Sequence, residues 1–191
     1  MKVLFVNACI RKEQSRTLAL CRAYLEDLTR RHPEAVVEEV DVENLGIAPL
    51  NAQSVALRDS LIAAKDWEHP MLSHARQFAQ ADRIVVGAPY WDLGFPAALK
   101  VYVENVYVTG VTTRFTDQGQ EGLCHADKCV YITSAGGFPQ KNMGAEYLRA
   151  IVGHFGVDGF EYLSADGLDM DDQDPDALME EALAKVRELE K

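Results

Sequence analysis

The chain has 191 residues, 48% hydrophobic and 26% charged, with a formal net charge of −11. This length suits one domain that buries a core without staples. The acidic balance speaks against nucleic acid as a partner, and no apolar run approaches the ~20 residues that a membrane-spanning helix needs.

The N-terminus runs straight into an apolar strand pattern, Lys2–Val6, without the h-region of a signal peptide, so a cytoplasmic location is expected. Cys9, Cys21, Cys124 and Cys129 form no CxxC pair, which fits reduced thiols. A strand is predicted over 2–8, then a turn from Cys9 to Gln14, then a helix opened by Ser15-Arg16-Thr17. Leu18, Cys21, Tyr24, Leu25 and Leu28 give that helix its apolar stripe, and Pro33 stops it. Val36, Val37, Val40 and Val42 alternate with acids as a second, more exposed strand. A loop follows over 43–53, then a helical pattern from Ser54 to Ala81 that breaks near Trp67-Glu68-His69-Pro70.

The run Arg83–Ala88 is apolar without alternation, the mark of a strand covered on both faces, and Pro89 ends it. The loop Tyr90-Trp91-Asp92-Leu93 comes next. A helix then carries Phe95, Ala98, Leu99, Tyr102, Val103, Val106 and Tyr107, with Pro96 in its first turn. Seven apolar residues exceed one sheet-facing stripe, so a partner chain is expected to cover some of Tyr102, Val106 and Tyr107. Residues 108–127 read as irregular. A strand over Lys128–Ser134, a helix from about Met143 to Phe155, a strand near Phe160–Ser164 and a helix from Pro175 to about Glu190 complete the chain. Five parallel strands alternating with helices predict an α/β, doubly wound, flavodoxin-like sheet of order 2-1-3-4-5 in a single domain. Its ligand crevice lies at the carboxyl ends of strands 1 and 3.

There is no GxGxxG after strand 1, no P-loop and no GxSxG elbow. Strand 1 is followed instead by Cys9 and then by Ser15-Arg16-Thr17, where hydroxyls, a guanidinium and helix N–H groups suit a phosphate monoester. Ser15 is equally well explained as an N-cap alone. The loops Tyr90–Leu93 and Ser134-Ala135-Gly136-Gly137 pair aromatic surface with unobstructed backbone donors, an arrangement for a flat ring. Each loop alone also reads as ordinary packing or a tight turn. Asp169, Asp171, Asp172, Asp174 and Glu180 mimic a calcium loop, but Asp174 stands at its glycine position. Cys124-His125-x3-Cys129 lacks zinc spacing, and no metal is expected.

The stretch Ala88–Gly137 resembles the FMN-dependent NAD(P)H:quinone oxidoreductase and azoreductase family, and the match extends more weakly to both ends. The resemblance is carried by Pro89-Tyr90-Trp91-Asp92, Leu99-Lys100-Val101-Tyr102, Thr109-Gly110-Val111-Thr112-Thr113-Arg114-Phe115-Thr116, Glu121-Gly122-Leu123 and Ile132–Gly137. It implies FMN, with its phosphate on Ser15, Arg16 and Thr17 and with Cys9 where relatives often have serine. Tyr90, Trp91, Asp92 and Leu93 would flank the ring, and Ser134, Ala135, Gly136 and Gly137 would meet its pyrimidine side. Phe115 and His154 are the expected substrate-pocket residues. The resemblance further implies a homodimer and ping-pong hydride transfer at flavin N5, from NADH or NADPH to a quinone or an azo or nitro aromatic. No side chain need act as a nucleophile. The departures are Asp92 for an asparagine, Thr113 for an aromatic and Phe115 for a frequent tyrosine. A flavodoxin-type electron carrier, favoured by the acidic charge, and a non-catalytic flavin-binding protein are the alternative readings.

Overall fold

The computed structural model describes residues 1–189. In chain order it contains β1 (Lys2–Asn7), α1 (Arg16–Arg31), β2 (Val36–Asp41), α2 (Ala52–Ala64), α3 (Ser73–Ala79), β3 (Arg83–Gly87), α4 (Ala97–Val106), β4 (Thr113–Thr116), β5 (Gly119–Gly122), β6 (Lys128–Ser134), α5 (Met143–His154), β7 (Gly159–Ala165) and α6 (Pro175–Val186). The main sheet is parallel and ordered β2-β1-β3-β6-β7. This is the flavodoxin-like 2-1-3-4-5 order predicted from the alternating pattern, because β4 and β5 form a separate antiparallel hairpin. The expected helix end near Glu190 lies outside the described residues, and α6 itself ends at Val186.

Strand periodicity divides the core in two. On β1, Leu4 and Val6 face one layer, packed with Leu72, Phe78, Leu99, Leu148 and Phe155. Val3 and Phe5 face the other, packed with Leu18, Tyr24 and Leu28 of α1 and Ala182 and Val186 of α6. Each residue step reverses the side, so an unbroken apolar run serves two layers.

Three expectations need correction. First, α2 begins at Ala52 rather than Ser54, because Asn51 Oδ1 accepts from the Gln53 and Ser54 N–H groups while Ser54 Oγ accepts from Asn51 N–H. Second, Pro96 is the residue before α4, with φ −53° and ψ 138°, and not part of its first turn. Third, residues 108–127 are not wholly irregular, since they include the β4–β5 hairpin. Its strands are four residues each, and all but Thr113 are exposed or half-buried. It is held from outside: Gly122 lies against the Phe155–Gly156 backbone, and Gln120 donates to the His154 carbonyl at 3.1 Å. Tertiary contacts of that kind leave no periodic trace in a short segment.

The apolar surplus of α4 is absorbed within the chain. Tyr102 and Val106 are 1% and 0% exposed, and the Tyr107 ring packs on Phe155 at 5.5 Å. The argument from these residues to a partner chain therefore fails. Tyr102 also buries its hydroxyl with no hydrogen-bond partner among the described residues, and burial pushes its pKa far up. Removing an unpaired buried hydroxyl removes its desolvation cost, so Tyr102→Phe should stabilise the fold by about 1 kcal/mol. Denaturant unfolding measures this, and a loss of stability would mean that the hydroxyl has a partner after all.

Candidate functional site

The carboxyl ends of β1, β3 and β6 carry the loops 8–15, 88–96 and 135–142. They frame a cleft of about 220 Å³ lined by Arg11, Gln14, Ser15, Arg16, Pro89, Tyr90, Trp91, Ser134, Ala135, Gly136, Leu168 and Asp169. Register explains the convergence. Ala8 N–H bonds the Gly87 carbonyl and Ala88 N–H bonds the Ile132 carbonyl, so the three chains leave the sheet side by side.

Helix α1 points its N-terminus at this cleft. Ser15 is its N-cap in extended backbone, and its Oγ accepts from Leu18 N–H at 3.2 Å. The N-cap reading of Ser15 is thus realised, and the residue still lines the cleft. The first N–H groups of a helix have no partner inside it, and with the macrodipole they favour an anion. Arg16 adds a guanidinium, which donates to Asp169 Oδ1 at 2.7 Å. Thr17 is fully buried, and its hydroxyl shares a 2.7 Å hydrogen bond with Ser134 Oγ. It ties α1 to β6 rather than facing the cleft. Cys9 is 1% exposed, behind Ser15, with its thiol 3.6 Å from the Gly87 carbonyl. Burial raises its pKa to about 11, so it is an inert packed thiol and not part of the cleft surface.

The aromatic loop is a two-residue hairpin. Trp91 and Gly94 exchange reciprocal backbone hydrogen bonds of 3.2 and 2.7 Å, with Asp92 at φ 50° and Leu93 at φ 67°. Positive φ at both central residues is the type I′ geometry that favours Asp or Asn first and glycine second. Asp92 therefore suits its position through backbone alone. Leu93 is the strained residue, at a cost on the order of 1–2 kcal/mol. Asp92 and Leu93 turn away from the first cleft into an adjoining groove of about 360 Å³, shared with Trp91, Phe95, Met143 and Tyr147. The Leu93 carbonyl accepts from Met143 N–H at 2.9 Å, which seats the hairpin on the start of α5.

The backbone of Gly136 was expected to be open. Instead, Asp169 Oδ2 lies only 2.4 Å from where a Cβ at Gly136 would stand. Gly137 lies beyond the cleft lining, and its carbonyl accepts from Gly167 N–H at 2.8 Å. Phe115 and His154 are not brought to the cleft. His154 ends α5, whose start holds Leu93, so about 18 Å of helix separates the two ends. Phe115 sits on the hairpin at that far end, 67% exposed. Within one chain neither residue lines the pocket. Two of the acids that mimic a calcium loop have other partners: Asp169 pairs with Arg16, and Asp174 caps α6.

Sequence reasoning missed Arg11, Gln14, Leu168 and Asp169. Arg11 and Gln14 carried a usable signal, since they lie in a strand-end loop. Leu168 and Asp169 follow β7, and only the fold brings them beside α1. A larger groove of about 460 Å³ opens near Lys2, Glu38, His74, Arg76 and Gln77 at the other end of the sheet. There the Arg76 guanidinium already donates to the Trp67 and His69 carbonyls, and Gln77 to Glu38, so these three side chains serve the fold.

Residues 1–189 match the family described as "Flavodoxin-like fold". Across the whole chain, and 98% of the relative in each case, the sequence is 34% identical to FMN-dependent NADH:quinone oxidoreductase 2 of Clostridium acetobutylicum and 35% identical to an FMN-dependent NADH:quinone oxidoreductase of Clostridium perfringens. Among solved structures it is similar to an azoreductase from Bacillus anthracis, with a TM-score of 0.86 and 24% identity over 99% of this chain and 98% of that one. An FMN-dependent NADH-azoreductase from Bacillus anthracis in complex with FMN superposes with a TM-score of 0.83 at 19% identity, over 98% of this chain and 96% of that one. At such identities these two structures bear on the fold alone.

Proposed function

The chain belongs to the flavodoxin-like family of FMN-dependent NADH:quinone oxidoreductases and azoreductases, and on that premise we propose that it binds FMN in the Arg16 cleft and reduces a small aromatic acceptor at the expense of NADH. The observation that carries this reading is the convergence on one cleft of the α1 N-terminus, the Arg16 guanidinium, the aromatic loop and the Ala135-Gly136 backbone. The donor set fits a phosphate at one end, and Tyr90 and Trp91 offer flat apolar surface at the other.

When bound, FMN would supply hydride chemistry between the nicotinamide and a quinone or an azo or nitro aromatic, with the two substrates using the site in turn. The protein's own work is binding and orientation. Arg11, Arg16 and the α1 N–H groups hold the anionic end. Trp91 and the Leu93–Met143 groove offer apolar surface to the ring and acceptor. Ala135 N–H is taken by the Ala165 carbonyl at 2.9 Å, so the Gly136 N–H is the backbone donor that would stabilise negative charge on the ring. NADPH is the alternative reductant. The reading requires a compartment where nicotinamide is re-reduced, which the cytoplasm provides. In the described residues no helix is long and apolar enough to cross a membrane.

We propose a homodimer as the working assembly. Leu93 and Phe115, 65% and 67% exposed, are large apolar groups for a second copy to cover. Through that second copy Phe115 and His154 could reach a substrate pocket. A monomer by light scattering at micromolar concentration would overturn the dimer. For the function, the purified chain loaded with FMN should lose its flavin absorbance on anaerobic addition of NADH and regain it with a quinone. Flavin that binds but stays oxidised by nicotinamide would move the protein to the electron-carrier reading.

A further inference from the structure

A carboxylate stands where the proposed phosphate end of the cleft would work. Asp169 follows β7, and its position is fixed by backbone hydrogen bonds that zip its loop to the end of β6. Leu168 N–H bonds the Ala135 carbonyl at 3.2 Å, and Asp169 N–H bonds the Gly136 carbonyl at 2.9 Å. From there the side chain covers Gly136, whose missing Cβ leaves the space, and its Oδ1 accepts a hydrogen bond from Arg16 Nη1 at 2.7 Å. One carboxylate thus occupies both the guanidinium and the glycine face.

A phosphate dianion that addresses Arg16 would approach the carboxylate that the same guanidinium already holds at 2.7 Å. The charged side chains lining the cleft are Arg11, Arg16 and Asp169, two cations less one anion, for a sum of +1. We propose that Asp169 is a built-in competitor for the phosphate at Arg16, which lowers the affinity for the phosphorylated flavin and keeps its binding reversible. This rests on the reading that the FMN phosphate binds at Arg16. The ion pair that must be shared or opened is solvent-accessible, with Asp169 68% exposed, so its effect is modest.

Titration of flavin-free protein with FMN and with riboflavin, followed by flavin fluorescence, tests the proposal. Riboflavin has the same ring and no phosphate. Asp169→Asn should tighten FMN by about three- to tenfold and leave riboflavin unchanged, because the variant raises the cleft's charge sum while altering no ring contact. Asp169→Ser, which cannot chelate the guanidinium, should do the same, and thermal unfolding checks that both variants fold. If FMN binds folded variants no more tightly than wild type, while wild type still prefers FMN to riboflavin, the competitor role is wrong and the phosphate reading stands. If wild type shows no preference for FMN over riboflavin, the phosphate reading falls and takes this inference with it.

Discussion

Gly122→Ala is expected to destabilise the fold by on the order of 3 kcal/mol, the upper part of the range for forced overpacking. A Cβ at this position would stand 2.0 Å from Gly156 N and 2.1 Å from the Phe155 carbonyl carbon. Both are backbone atoms, so no rotamer change relieves the clash. The β4–β5 hairpin must lift from the end of α5, straining the 3.0 Å bond from Cys124 N–H to the Phe155 carbonyl and the Gln120–His154 contacts. Urea unfolding gives the magnitude. Below the unfolding transition FMN affinity should be unchanged, because the hairpin and the cleft lie at opposite ends of α5. A wild-type midpoint would mean that the hairpin is not docked in this way.

Arg16→Ala combined with Thr17→Ala should weaken FMN binding by about 1–3 kcal/mol, the range for hydrogen bonds to charged groups, or roughly five- to 150-fold. The two residues act differently. Arg16 supplies charge and a donor fork directly. Thr17 is buried and acts through Ser134, whose hydroxyl would lose its 2.7 Å partner at the point where β6 meets α1. Arg16→Ala also leaves Asp169 in the cleft without its counter-ion, adding repulsion toward a phosphate. The Arg16 and Asp169 substitutions should therefore be non-additive in a double-mutant cycle. Fluorescence titration reads the loss. A double variant that holds FMN as tightly as wild type would place the phosphate elsewhere.

The sequence by itself determined the α/β alternation, the five parallel strands and their order, the Ser15 helix start, the break before α3 and the three loops at the sheet's carboxyl edge. Each of these is written in local signals: apolar runs that satisfy two layers, capping residues, prolines that end strands and helices. Tertiary structure alone decided the rest. Tyr102 and Val106 look like surplus apolar surface along the chain, yet α3, α5 and the sheet absorb them. The β4–β5 hairpin exists because Gly122 allows backbone to meet backbone, a contact with no period to detect. Thr17 and Cys9 sit in the right segment but face inward, since one helix turn or one strand-end bend decides which side a side chain takes. Asp169 is separated from Arg16 by 153 positions and meets it only because β7 lies beside β6 and α1 covers that face of the sheet. Loop-to-loop encounters of this kind depend on where strands end in space, and a sequence records only that they end.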